Sequence, residues 1–570
     1  ANPEGAPFYD ELAACIGAMR LWVERYRAEL AERLEESPFF PRIAAALKQV
    51  PERPPRDFFE AVQSLWLFWT FQRLAGNWSG LGRIDELLGP FLDADLEAGR
   101  LDLGEAREIL ACFWIKGTEW ITGRRVAGGD AQFYQNVILA GTGRDGREVC
   151  NRVTMLIFDI VEELHISDFP LGVRLSRKSP PPLLRRVAEL QSRGGGIVSI
   201  YNEEVVIAAL VKFGYPEKEA CDFTNDGCWE TLIPGETAFS YCPFDALQVW
   251  QDVFFADCNY PDFESLFAAY SAALRRRLEQ VCAGCSGSFN APDRTAPTPL
   301  LSLLMPSCIR SGRPYNRRGA KYNVVALHAG GLPDVANSFT AVRKLVYEDE
   351  CCTLNELRGI LLRDFGGDER LRRMFERCAV WYGNDDEAAD AMLARVVSGF
   401  AAAAAEFRER DGLLHPAGIS TFGREVEFAP SRLATPFGRR AHDYLSGNLA
   451  PSPGTDRNGP GAVVKSCCRN DFTQIPNGCP LDLRFDAAAL ASPSGVAMLE
   501  GLLKSFIGLG GYYLQVDAVS REMLVDAKAH PERYPNLAVR ISGWSARFAT
   551  LETAWQDMVI ARSIQGAEAG

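Results

Sequence analysis

The sequence predicts an α/β fold, and two features of its apolar pattern lead to this class. The first quarter of the chain carries apolar residues at helical spacing, as far as about Trp120. Beyond that point, short apolar runs bounded by glycine, asparagine or proline alternate with longer helical patterns. This alternation is typical of α/β proteins, in which helices cover a sheet.

The helical patterns are clearest at residues 10–35, where apolar side chains fall on one side, and at residues 58–74, after a proline-rich turn. The second stretch is the most apolar, but Glu60, Gln63 and Arg73 interrupt it, so we predict a buried core helix rather than a membrane span. Further helices are predicted at 156–164, at 183–190 and around the alanine run 401–405.

The predicted strands are short apolar runs that end at turn-forming residues. They lie at residues 137–140, 171–175, 197–201, 324–327, 462–464, 481–485 and 512–516. No internal repeat and no flexible interdomain linker separates them. The sequence therefore predicts one large domain.

Composition and charge are those of an ordinary globular chain. Of the 570 residues, 47% are apolar and 24% are charged, which allows a large core and excludes an intrinsically disordered protein. The formal net charge of −13 argues against nucleic acid or an anionic membrane as a partner. No basic region followed by an apolar segment opens the sequence, so we expect no secretory signal and a cytoplasmic location.

The sequence contains 16 cysteines, and in a large chain of this kind we expect free buried thiols rather than disulfides. Two adjacent pairs occur, at 351–352 and 467–468. Cys282 and Cys285 form a lone CxxC motif. Because no second pair stands at zinc-site spacing and no histidine lies nearby, we expect no metal there.

A glycine-rich turn at residues 141–146 matches the pattern G-x-G-x-x-G between a predicted strand and a predicted helix. In dinucleotide-binding proteins these glycines let a pyrophosphate approach the N-terminus of a helix. The sequence Arg144-Asp145-Gly146 is also typical of an ordinary turn. A nucleotide-dependent enzyme is therefore one alternative.

Near the C-terminus, Gly543 lies between small polar and aromatic residues, in the run Arg540-Ile541-Ser542-Gly543-Trp544. A glycine in such a run is usually a turn residue, because it adopts positive φ without steric cost. It could instead store a radical on its Cα atom. A glycyl radical is planar, and only glycine lacks the Cβ atom that would disturb this plane and block a thiol. This stretch alone leaves both interpretations open.

A second stretch places Cys228 and Glu230 two residues apart, after the turn-forming residues Asn225-Asp226-Gly227. In an extended segment, residues i and i+2 face the same side, so thiol and carboxylate could approach one substrate carbon. A carboxylate with few charges around it gains proton affinity, which suits a general base. The alternatives are a small buried cysteine and a solvated glutamate.

Together these two stretches resemble the glycyl radical enzymes, the superfamily that includes pyruvate formate-lyase and the glycerol and choline eliminases. The commonest C-terminal motif of that superfamily is Arg-Val-Xaa-Gly-Tyr; here Ile541 replaces Val and Trp544 replaces Tyr. The eliminases carry Gly-Cys-Xaa-Glu, which matches residues 227–230. The resemblance runs from about residue 57 to the C-terminus and includes the turn at 382–386 and the helix at 524–534.

The resemblance implies a ten-stranded α/β barrel of two five-stranded halves, wrapped by helices, with the Cys228 and Gly543 loops meeting at its centre. Residues 1–570 would form a single domain. Within it, 1–125 would be mostly helical, 126–490 would form the barrel core with the cysteine loop, and 491–570 would be the glycyl radical region. A homodimer is the usual assembly of the superfamily.

For chemistry, the resemblance implies that a radical S-adenosylmethionine activating enzyme with an iron–sulfur cluster removes hydrogen from Gly543. The radical passes to Cys228, which abstracts hydrogen from a small substrate, and Glu230 deprotonates a neighbouring group. The resemblance assigns a substrate hydroxyl to Asp245, which could equally be a helix N-cap. Tyr201 and Asn202 would contact the substrate, unless they form only a strand-end turn. No bound metal or cofactor is implied.

The resulting hypothesis is a glycyl radical eliminase that works anaerobically on a small polar substrate. One alternative is a decarboxylase of a small carboxylate, and another is a radical-incompetent relative that binds a small molecule or a partner. Pyruvate formate-lyase has two adjacent cysteines at the thiyl loop, whereas Gly227 and Trp229 flank Cys228 here. Formate-lyase chemistry with coenzyme A is therefore not expected, and the bulk of Trp229 leaves the substrate open.

Overall fold

The computed structural model describes residues 5–76, 80–121, 123–129, 135–289 and 298–562. The fold is α/β, as predicted. The strands in the described residues are β1 (Val137–Leu139), β2 (Leu171–Leu175), β3 (Val198–Asn202), β4 (Thr224–Asp226), β5 (Glu230–Leu232), β6 (Thr237–Asp245), β7 (Tyr322–Gly330), β8 (Glu409–Arg410), β9 (Leu413–Leu414), β10 (Ala417–Ile419), β11 (Pro480–Phe485), β12 (Tyr513–Ala518), β13 (Ala538–Arg540) and β14 (Ser545–Arg547).

Helices precede, connect and follow these strands. The α-helices are α1 (Ala6–Ala31), α2 (Phe40–Ala46), α3 (Phe58–Leu74), α4 (Ile84–Glu97), α5 (Leu103–Lys116), α6 (Arg152–Leu164), α7 (Pro181–Ser192), α8 (Glu203–Phe213), α9 (Glu217–Ala220), α10 (Ala246–Phe254), α11 (Phe263–Phe289), α12 (Pro299–Leu303), α13 (Pro306–Ser311), α14 (Leu332–Val342), α15 (Leu354–Leu362), α16 (Glu369–Glu376), α17 (Glu387–Ala405), α18 (Glu425–Phe428), α19 (Gly459–Cys467), α20 (Ala487–Leu490), α21 (Pro493–Leu509), α22 (Arg521–Ala529) and α23 (Thr553–Ala561).

The first sheet has five strands in the order β1-β2-β3-β12-β11. β1, β2 and β3 run parallel, β12 pairs antiparallel with β3, and β11 pairs parallel with β12. Helix α6 connects β1 to β2, and α7 connects β2 to β3, as expected for parallel neighbours. The late strands β11 and β12 therefore join a sheet that the early strands begin.

The second sheet is built around β7, whose nine residues pair with β6 along one edge. Along the other edge β7 pairs with β9 and β10, and β9 also pairs with β8. This sheet also has five strands in all. No strand pairing joins the two sheets into a closed barrel within the described residues, so the predicted ten-stranded closure is not present in the pairing.

Six of the seven predicted strands coincide with β1, β2, β3, β7, β11 and β12, and the seventh was wrong. Residues 462–464 were predicted as a strand, whereas they lie inside helix α19. Pro460 stands at the start of this helix, where its missing N–H costs nothing. Val463 and Cys467, four residues apart, are both buried on one side of the helix. A run of three apolar residues is too short to distinguish the two periods, and helical packing decided the outcome.

One large hydrophobic cluster extends from Phe58 on α3 to Val559 on α23 and includes residues of both sheets. Helix α1 packs on smaller clusters beside it. One described helix, α17, is long and apolar enough to cross a membrane, and 56% of its most apolar 18-residue window is buried. It packs against α14 and α11, as a core helix of a globular protein does.

One cysteine pair departs from the expectation of free thiols. The structure joins Cys242 on β6 to Cys285 on α11 in a disulfide. Cys285, which belongs to the CxxC motif, is thereby paired across the fold rather than with Cys282. Cys282 and the other described cysteines, Cys228 included, are free. Long-range contacts of this kind cannot be deduced from spacing along the sequence.

Candidate active site

Cys228 stands at the tip of a tight hairpin formed by β4 and β5. The strands pair antiparallel with Asp226 opposite Glu230, so that only residues 227–229 form the turn. Gly227 adopts φ +46°, and its carbonyl accepts a hydrogen bond from the Asn136 side chain at 2.7 Å. Cys228 itself is 5% exposed. The turn residues thus place a buried thiol at the tip of a hairpin, whereas the sequence analysis treated residues 228–230 as an extended segment.

Gly543 stands at the tip of a second hairpin, formed by β13 and β14. The antiparallel pairing ends with Arg540 opposite Ser545, and the Ile541 amide donates to the Trp544 carbonyl at 2.9 Å. Gly543 is buried and adopts φ +88°, a region that residues with side chains rarely occupy. Gly543 is therefore a turn residue, as the first of the two interpretations predicted. This conformation does not exclude a radical on its Cα atom.

The two hairpin tips meet. A Cβ atom added to Gly543 would lie 2.0 Å from the Cβ atom and 2.6 Å from the Sγ atom of Cys228. Both distances are far shorter than any van der Waals contact, so no side chain fits at this position. The Cα–H bond of Gly543 on this side points at Cys228. The arrangement permits a hydrogen atom to pass directly between glycine Cα and cysteine Sγ.

Arg540 anchors the glycine hairpin to the first sheet. Its Nε donates to the Gln515 side chain at 2.8 Å, and its Nη2 donates to the Tyr513 hydroxyl at 2.9 Å, both on β12. Its Nη1 donates to the Gly196 carbonyl at 2.9 Å, and its backbone N–H donates to the Asp517 carboxylate at 3.1 Å. Every nitrogen of this buried guanidinium is engaged, which holds the hairpin in place.

Three glycines before β3 receive this anchor, and the sequence analysis did not single them out. Gly194, Gly195 and Gly196 all have positive φ, and a Cβ atom on Gly196 would lie 2.5 Å from the Cβ atom of Arg540. The Ser545 hydroxyl also donates to the Gly196 carbonyl, at 3.1 Å. The run Gly-Gly-Gly was the signal available in the sequence, because it marks a backbone that another segment approaches closely.

Trp544, which stands where the superfamily motif usually has Tyr, is accommodated inside the fold. Its indole N–H donates to the Gly128 carbonyl at 2.9 Å, and its ring packs 6.3 Å from that of Trp555. The residue is 6% exposed. The replacement therefore keeps a hydrogen-bonded aromatic ring next to Gly543.

Glu230 lies directly beneath Cys228, with 1% of its surface exposed. One carboxylate oxygen accepts from the Cys228 amide at 2.8 Å and from the Trp229 amide at 2.9 Å. Burial raises the pKa of Glu230 to about 8, and the nearby charge of Asp226 adds to the effect. Such a carboxyl group exchanges its proton near neutral pH, which is the property of a general acid or base.

Burial also raises the pKa of the Cys228 thiol well above its usual range, with Glu230 as the next cause and Arg540 opposing it. The thiol is therefore protonated and carries the S–H hydrogen that a radical transfer requires. An ionised thiolate would have no such hydrogen. The dry environment favours hydrogen-atom chemistry over nucleophilic attack.

Tyr201 and Asn202 end β3, and because consecutive strand residues face opposite sides, Tyr201 lies near the hairpins whereas Asn202 faces helix α21. Tyr201 is fully buried, and its hydroxyl has no hydrogen-bond partner among the described residues. Burial raises its pKa well above normal, with contributions from Tyr513, Glu230 and Cys228, so the phenol lies near the thiol and the carboxyl. Asn202 donates to the Ile507 carbonyl at 3.1 Å, and its buried side-chain oxygen lacks a partner in the described part of the chain.

Asp245 has a structural position at the end of β6. One oxygen accepts from the amides of Leu247 at 2.8 Å and Gln248 at 3.2 Å, as the N-cap of α10. The other oxygen forms an ion pair of 2.7 Å with Arg432, and both side chains are nearly buried. The first oxygen is thus hydrogen-bonded within the protein, whereas the second is paired in charge with Arg432 but makes no hydrogen bond among the described residues. The N-cap, the alternative weighed for this residue, is what the structure contains.

Buried side chains of the protein hold the glycine-rich turn at 141–146 in place. The Thr142 amide and hydroxyl donate to the two Glu203 carboxylate oxygens at 2.8 and 2.7 Å, and Arg174 pairs with Glu203 at 3.0 Å. A Cβ atom on Gly141 would lie 2.3 Å from the same carboxylate. The Glu203 carboxylate occupies the place where a phosphate would have to accept these hydrogen bonds. The geometry favours the ordinary turn.

An aromatic and polar group beside Cys228 was not predicted. Phe422 stacks between Trp229 and Tyr241, with ring centroids 5.4 and 4.5 Å away. His328 lies 5.0 Å from Phe422, and its two ring nitrogens contact Ser420 at 3.0 Å and Asn477 at 2.8 Å. Burial lowers the pKa of His328 to about 4, so the imidazole is neutral. No local sequence pattern marks these residues, because they converge from distant segments.

Two protein-family models match the chain: pyruvate formate lyase-like over residues 1–429, and glycine radical over residues 445–549. The trans-4-hydroxy-L-proline dehydratase of Clostridioides difficile is 26% identical, over 98% of this chain and 74% of the relative. An isethionate sulfite-lyase of Nitratidesulfovibrio vulgaris is 28% identical, over 99% of this chain and 72% of the relative. An indoleacetate decarboxylase of Tractidigestivibacter scatoligenes is 27% identical, over 96% and 69%.

Solved structures have the same fold. A structure concerned with 1,2-propanediol dehydration in Roseburia inulinivorans superimposes with a TM-score of 0.92 at 27% identity, over 98% of this chain and 75% of the other. The glycerol-bound B12-independent glycerol dehydratase of Clostridium butyricum also gives 0.92, at 25% identity, over 99% and 75%. The similarity therefore covers the whole described fold, both hairpins included.

Proposed function

The chain belongs to the pyruvate formate lyase-like family and carries its glycine radical region, and we propose that it catalyses a radical elimination from a small polar substrate. It is a glycyl radical lyase, like its relatives named dehydratase and sulfite-lyase. The leaving group is water or an equivalent group on a C–O, C–N or C–S bond. The single observation that carries the proposal is the contact between Gly543 and Cys228.

In the proposed reaction, the Gly543 radical takes the hydrogen atom from the Cys228 S–H bond, which restores glycine and leaves a thiyl radical. The thiyl radical takes a hydrogen atom from a substrate C–H bond and leaves a substrate carbon radical. Water departs from the adjacent carbon while a hydroxyl proton is lost. The product radical then recovers the hydrogen atom from Cys228. Substrate equals product plus water, and the radical is conserved.

Glu230 is the proposed base for the hydroxyl proton. Its carboxyl lies two residues from the thiol and shares the hairpin tip with it, so both groups reach the same end of a small substrate. A pKa of about 8 means that the carboxyl can accept a proton from the substrate and return it to the leaving group. The hydroxyl of Tyr201, without a partner among the described residues and near Cys228 and Glu230, is the proposed substrate contact. A contact of Asn202 with the substrate stays a prediction, because its side chain donates to Ile507 on α21.

The role of Asp245 in holding a substrate hydroxyl stays a prediction. Its two oxygens already serve the N-cap of α10 and the ion pair with Arg432. In the same proposal, the two five-stranded sheets are the halves of the barrel that encloses the hairpin tips. We also infer a cytoplasmic homodimer with no nucleic acid or membrane as partner.

Activation requires a second protein. Because Gly543 is buried against Cys228, the hairpin of β13 and β14 has to leave this position before any enzyme can reach its Cα–H bond. The proposed partner is a radical S-adenosylmethionine activating enzyme, whose iron–sulfur cluster supplies the electron that cleaves the cofactor. No other bound cofactor enters the proposal.

The test is anaerobic electron paramagnetic resonance after co-expression with such an activating enzyme, followed by exposure to air. We expect a glycyl doublet, then oxygen-dependent cleavage that releases a C-terminal fragment beginning at the Gly543 position. Cys228→Ser should keep the doublet and lose turnover. Neither signal nor cleavage with a demonstrably active activating enzyme would contradict the proposal and favour the radical-incompetent binding protein.

Decarboxylation of a small carboxylate is the second candidate. A relative named indoleacetate decarboxylase favours keeping it. Release of carbon dioxide from a turned-over carboxylate would assign this reaction. Formation of water without carbon dioxide would assign the eliminase.

A further inference from the structure

The aromatic wall beside Cys228 consists of Trp229, Phe422 and Tyr241. The rings are stacked in this order, with interplanar angles of 19° and 28° between neighbours. Trp229 is fully buried next to the reactive thiol, and Tyr241 is partly buried. The wall comes from three separate segments: the Cys228 hairpin, strand β6 and the turn that follows β10.

The turn after β10 has a strained backbone. Phe422 adopts φ +54°, which is unfavourable for a bulky residue, and Gly423 follows with φ +71°. A Cβ atom on Gly423 would lie 2.7 Å from the ring of Trp555. The ring stack and Trp555 together hold the turn in this conformation. Strain of this kind is retained where it positions functional groups, and here it positions the next residue, Arg424.

Arg424 extends over the aromatic wall. The centre of its guanidinium lies 5.5 Å from the Phe422 ring and 5.9 Å from the Tyr241 ring. Its side chain is 27% exposed. Its ion-pair partner among the described residues is Glu427, at 3.6 Å and 63% exposed, so this contact is loose and wet. The guanidinium also forms a hydrogen bond with the Tyr241 side chain, and its remaining N–H groups keep hydrogen-bonding capacity for an anion beside that ring.

The other arginine close to the thiol offers no such capacity, because Arg540 donates from all its guanidinium nitrogens to protein acceptors. The field of Arg424 does reach the reactive groups. It opposes the rise in the Cys228 pKa that burial causes, and it adds to the burial that lowers the His328 pKa. Burial raises the pKa of Glu230 to about 8 and that of Asp226 to about 7, so Glu230 is mostly protonated at pH 7 and Asp226 is the hairpin carboxyl that carries part of a negative charge.

Resting on the proposed function, we infer that Arg424 binds the carboxylate of a small anionic substrate whose carbon skeleton lies against Phe422 and Tyr241. A guanidinium matches a carboxylate with two parallel hydrogen bonds, and the rings keep water away from the pair. The arrangement selects a hydroxy acid or another small carboxylate over a neutral diol. Arg424 is thus the residue that determines the substrate class.

The experiment measures binding to the full chain without the radical, under anaerobic reducing conditions, by isothermal titration calorimetry. Three matched pairs differ only in carboxylate against hydroxymethyl: lactate and 1,2-propanediol, glycerate and glycerol, indole-3-acetate and indole-3-ethanol. In at least one pair we expect the carboxylate to bind at least about tenfold more tightly, as a charge-assisted bidentate contact predicts.

Arg424→Gln should abolish this preference, and Arg424→Lys should restore part of it. The control is Arg343→Gln, which removes the same charge from a side chain of similar exposure, 33%, paired with Glu348 elsewhere in the fold. It should leave the preference unchanged. Unchanged thermal unfolding of Arg424→Gln shows that its loss of binding is local.

Equal or tighter binding of the alcohol in every pair, no carboxylate binding in any pair, or a preference that survives Arg424→Gln overturns the inference. These results are distinct from failure of the proposed function. That failure is read from the absence of a glycyl doublet in the activated protein, which does not depend on the ligand. A glycyl doublet without any preference for carboxylates would be consistent with the proposed radical enzyme. It would exclude Arg424 as the residue that determines the substrate class.

Discussion

At Gly543, two constraints independent of radical chemistry require glycine. The backbone has φ +88°, and a Cβ atom would lie 2.0 Å from that of Cys228. A side chain would both strain the hairpin and drive it away from the thiol. The same absence of Cβ that stabilises a planar radical therefore permits the contact through which the radical leaves.

Gly543→Ala tests this constraint. We expect it to cost about 1–3 kcal/mol of stability from the positive φ alone, to increase hydrogen exchange at residues 541–544, and to eliminate the doublet. The matched control is Gly501→Ala on helix α21, where no atom lies within 4 Å of the added Cβ. There alanine should be neutral or stabilising by up to about 1 kcal/mol. Equal unfolding temperatures for both variants would contradict the constraint.

Glu230 makes a prediction about pH. With its pKa raised to about 8 by burial, the carboxyl is mostly protonated at pH 7. If it acts as the base, kcat/KM rises by about tenfold per pH unit toward pH 8 and then levels off. Glu230→Gln should lower kcat by about a hundredfold or more and remove this pH dependence. A rate that falls as the pH rises through 8 would assign Glu230 as the acid instead.

At the scale of secondary structure, two short hairpins form the candidate site, and a few long-range contacts position them. Arg540 joins β13 to β12 and to the turn at 194–196. The superfamily motif thus includes a residue, Arg540, that holds the radical hairpin in place. Its partners lie on segments that the motif itself does not contain.

Arg540→Gln should loosen the hairpin of β13 and β14. Because the buried acceptors on Tyr513, Gln515 and Gly196 lose their donor, we expect a cost of about 3–5 kcal/mol. Hydrogen exchange at residues 538–547 should accelerate, and the doublet should decay faster. The exposed Arg533→Gln is the control and should change neither measurement. Unaltered exchange in Arg540→Gln would show that the hairpin is held by its other contacts.

Asp245 is the N-cap of helix α10 and also pairs with Arg432. A double-mutant cycle can separate these two structural roles from a contact with the substrate. Asp245→Asn keeps an N-cap acceptor but leaves the buried Arg432 unpaired, so we expect a stability loss of about 3–5 kcal/mol and a KM within about twofold of wild type. Adding Arg432→Gln should restore much of the stability. An unchanged unfolding temperature with a tenfold higher KM would instead assign Asp245 to a substrate hydroxyl.

Burial raises the pKa of several carboxyl groups in the molecule: that of Glu230 to about 8, that of Asp226 to about 7, and those of Asp85 and Asp390 to about 6 each. The folded state therefore binds more protons than the unfolded state, and stability is lost as the pH rises through these values. His328, with its pKa lowered to about 4, acts in the opposite direction below pH 6.5. Between pH 6.5 and 8 the groups that titrate are Glu230 and Asp226, both in the Cys228 hairpin, and both contribute to the loss of stability.

We therefore expect the unfolding temperature to fall between pH 6.5 and pH 8, measured by calorimetry at constant ionic strength. Glu230→Gln should reduce the slope of this decline, because the amide does not titrate, and the titration of Asp226 accounts for what remains. A decline of equal slope in wild type and Glu230→Gln would show that other buried groups cause it. A rise in stability across this range would contradict the balance of burial and charge described above.

Helices and strands could be predicted from the sequence where the apolar pattern was long or clearly bounded. Helix α3 was predicted at its observed bounds, and so was β2. The failure at residues 462–464 came from a run too short to show a period. The long strand β6 was not predicted, because polar and apolar residues are mixed along 237–245 and form no continuous apolar run. The closure of the two sheets was an expectation from the resemblance only.

The sequence by itself determined the chemistry: a glycine that can hold a radical, a thiol, and a carboxylate two residues beyond it, in motifs specific to one superfamily. Only the tertiary structure decided that Gly543 touches Cys228, that Asp245 caps a helix, and that Phe422 and Arg424 stand beside the thiol. The physical reason is that local motifs constrain turns and reactivity. The partners of a buried group are set by long-range packing between segments that share no pattern in the chain.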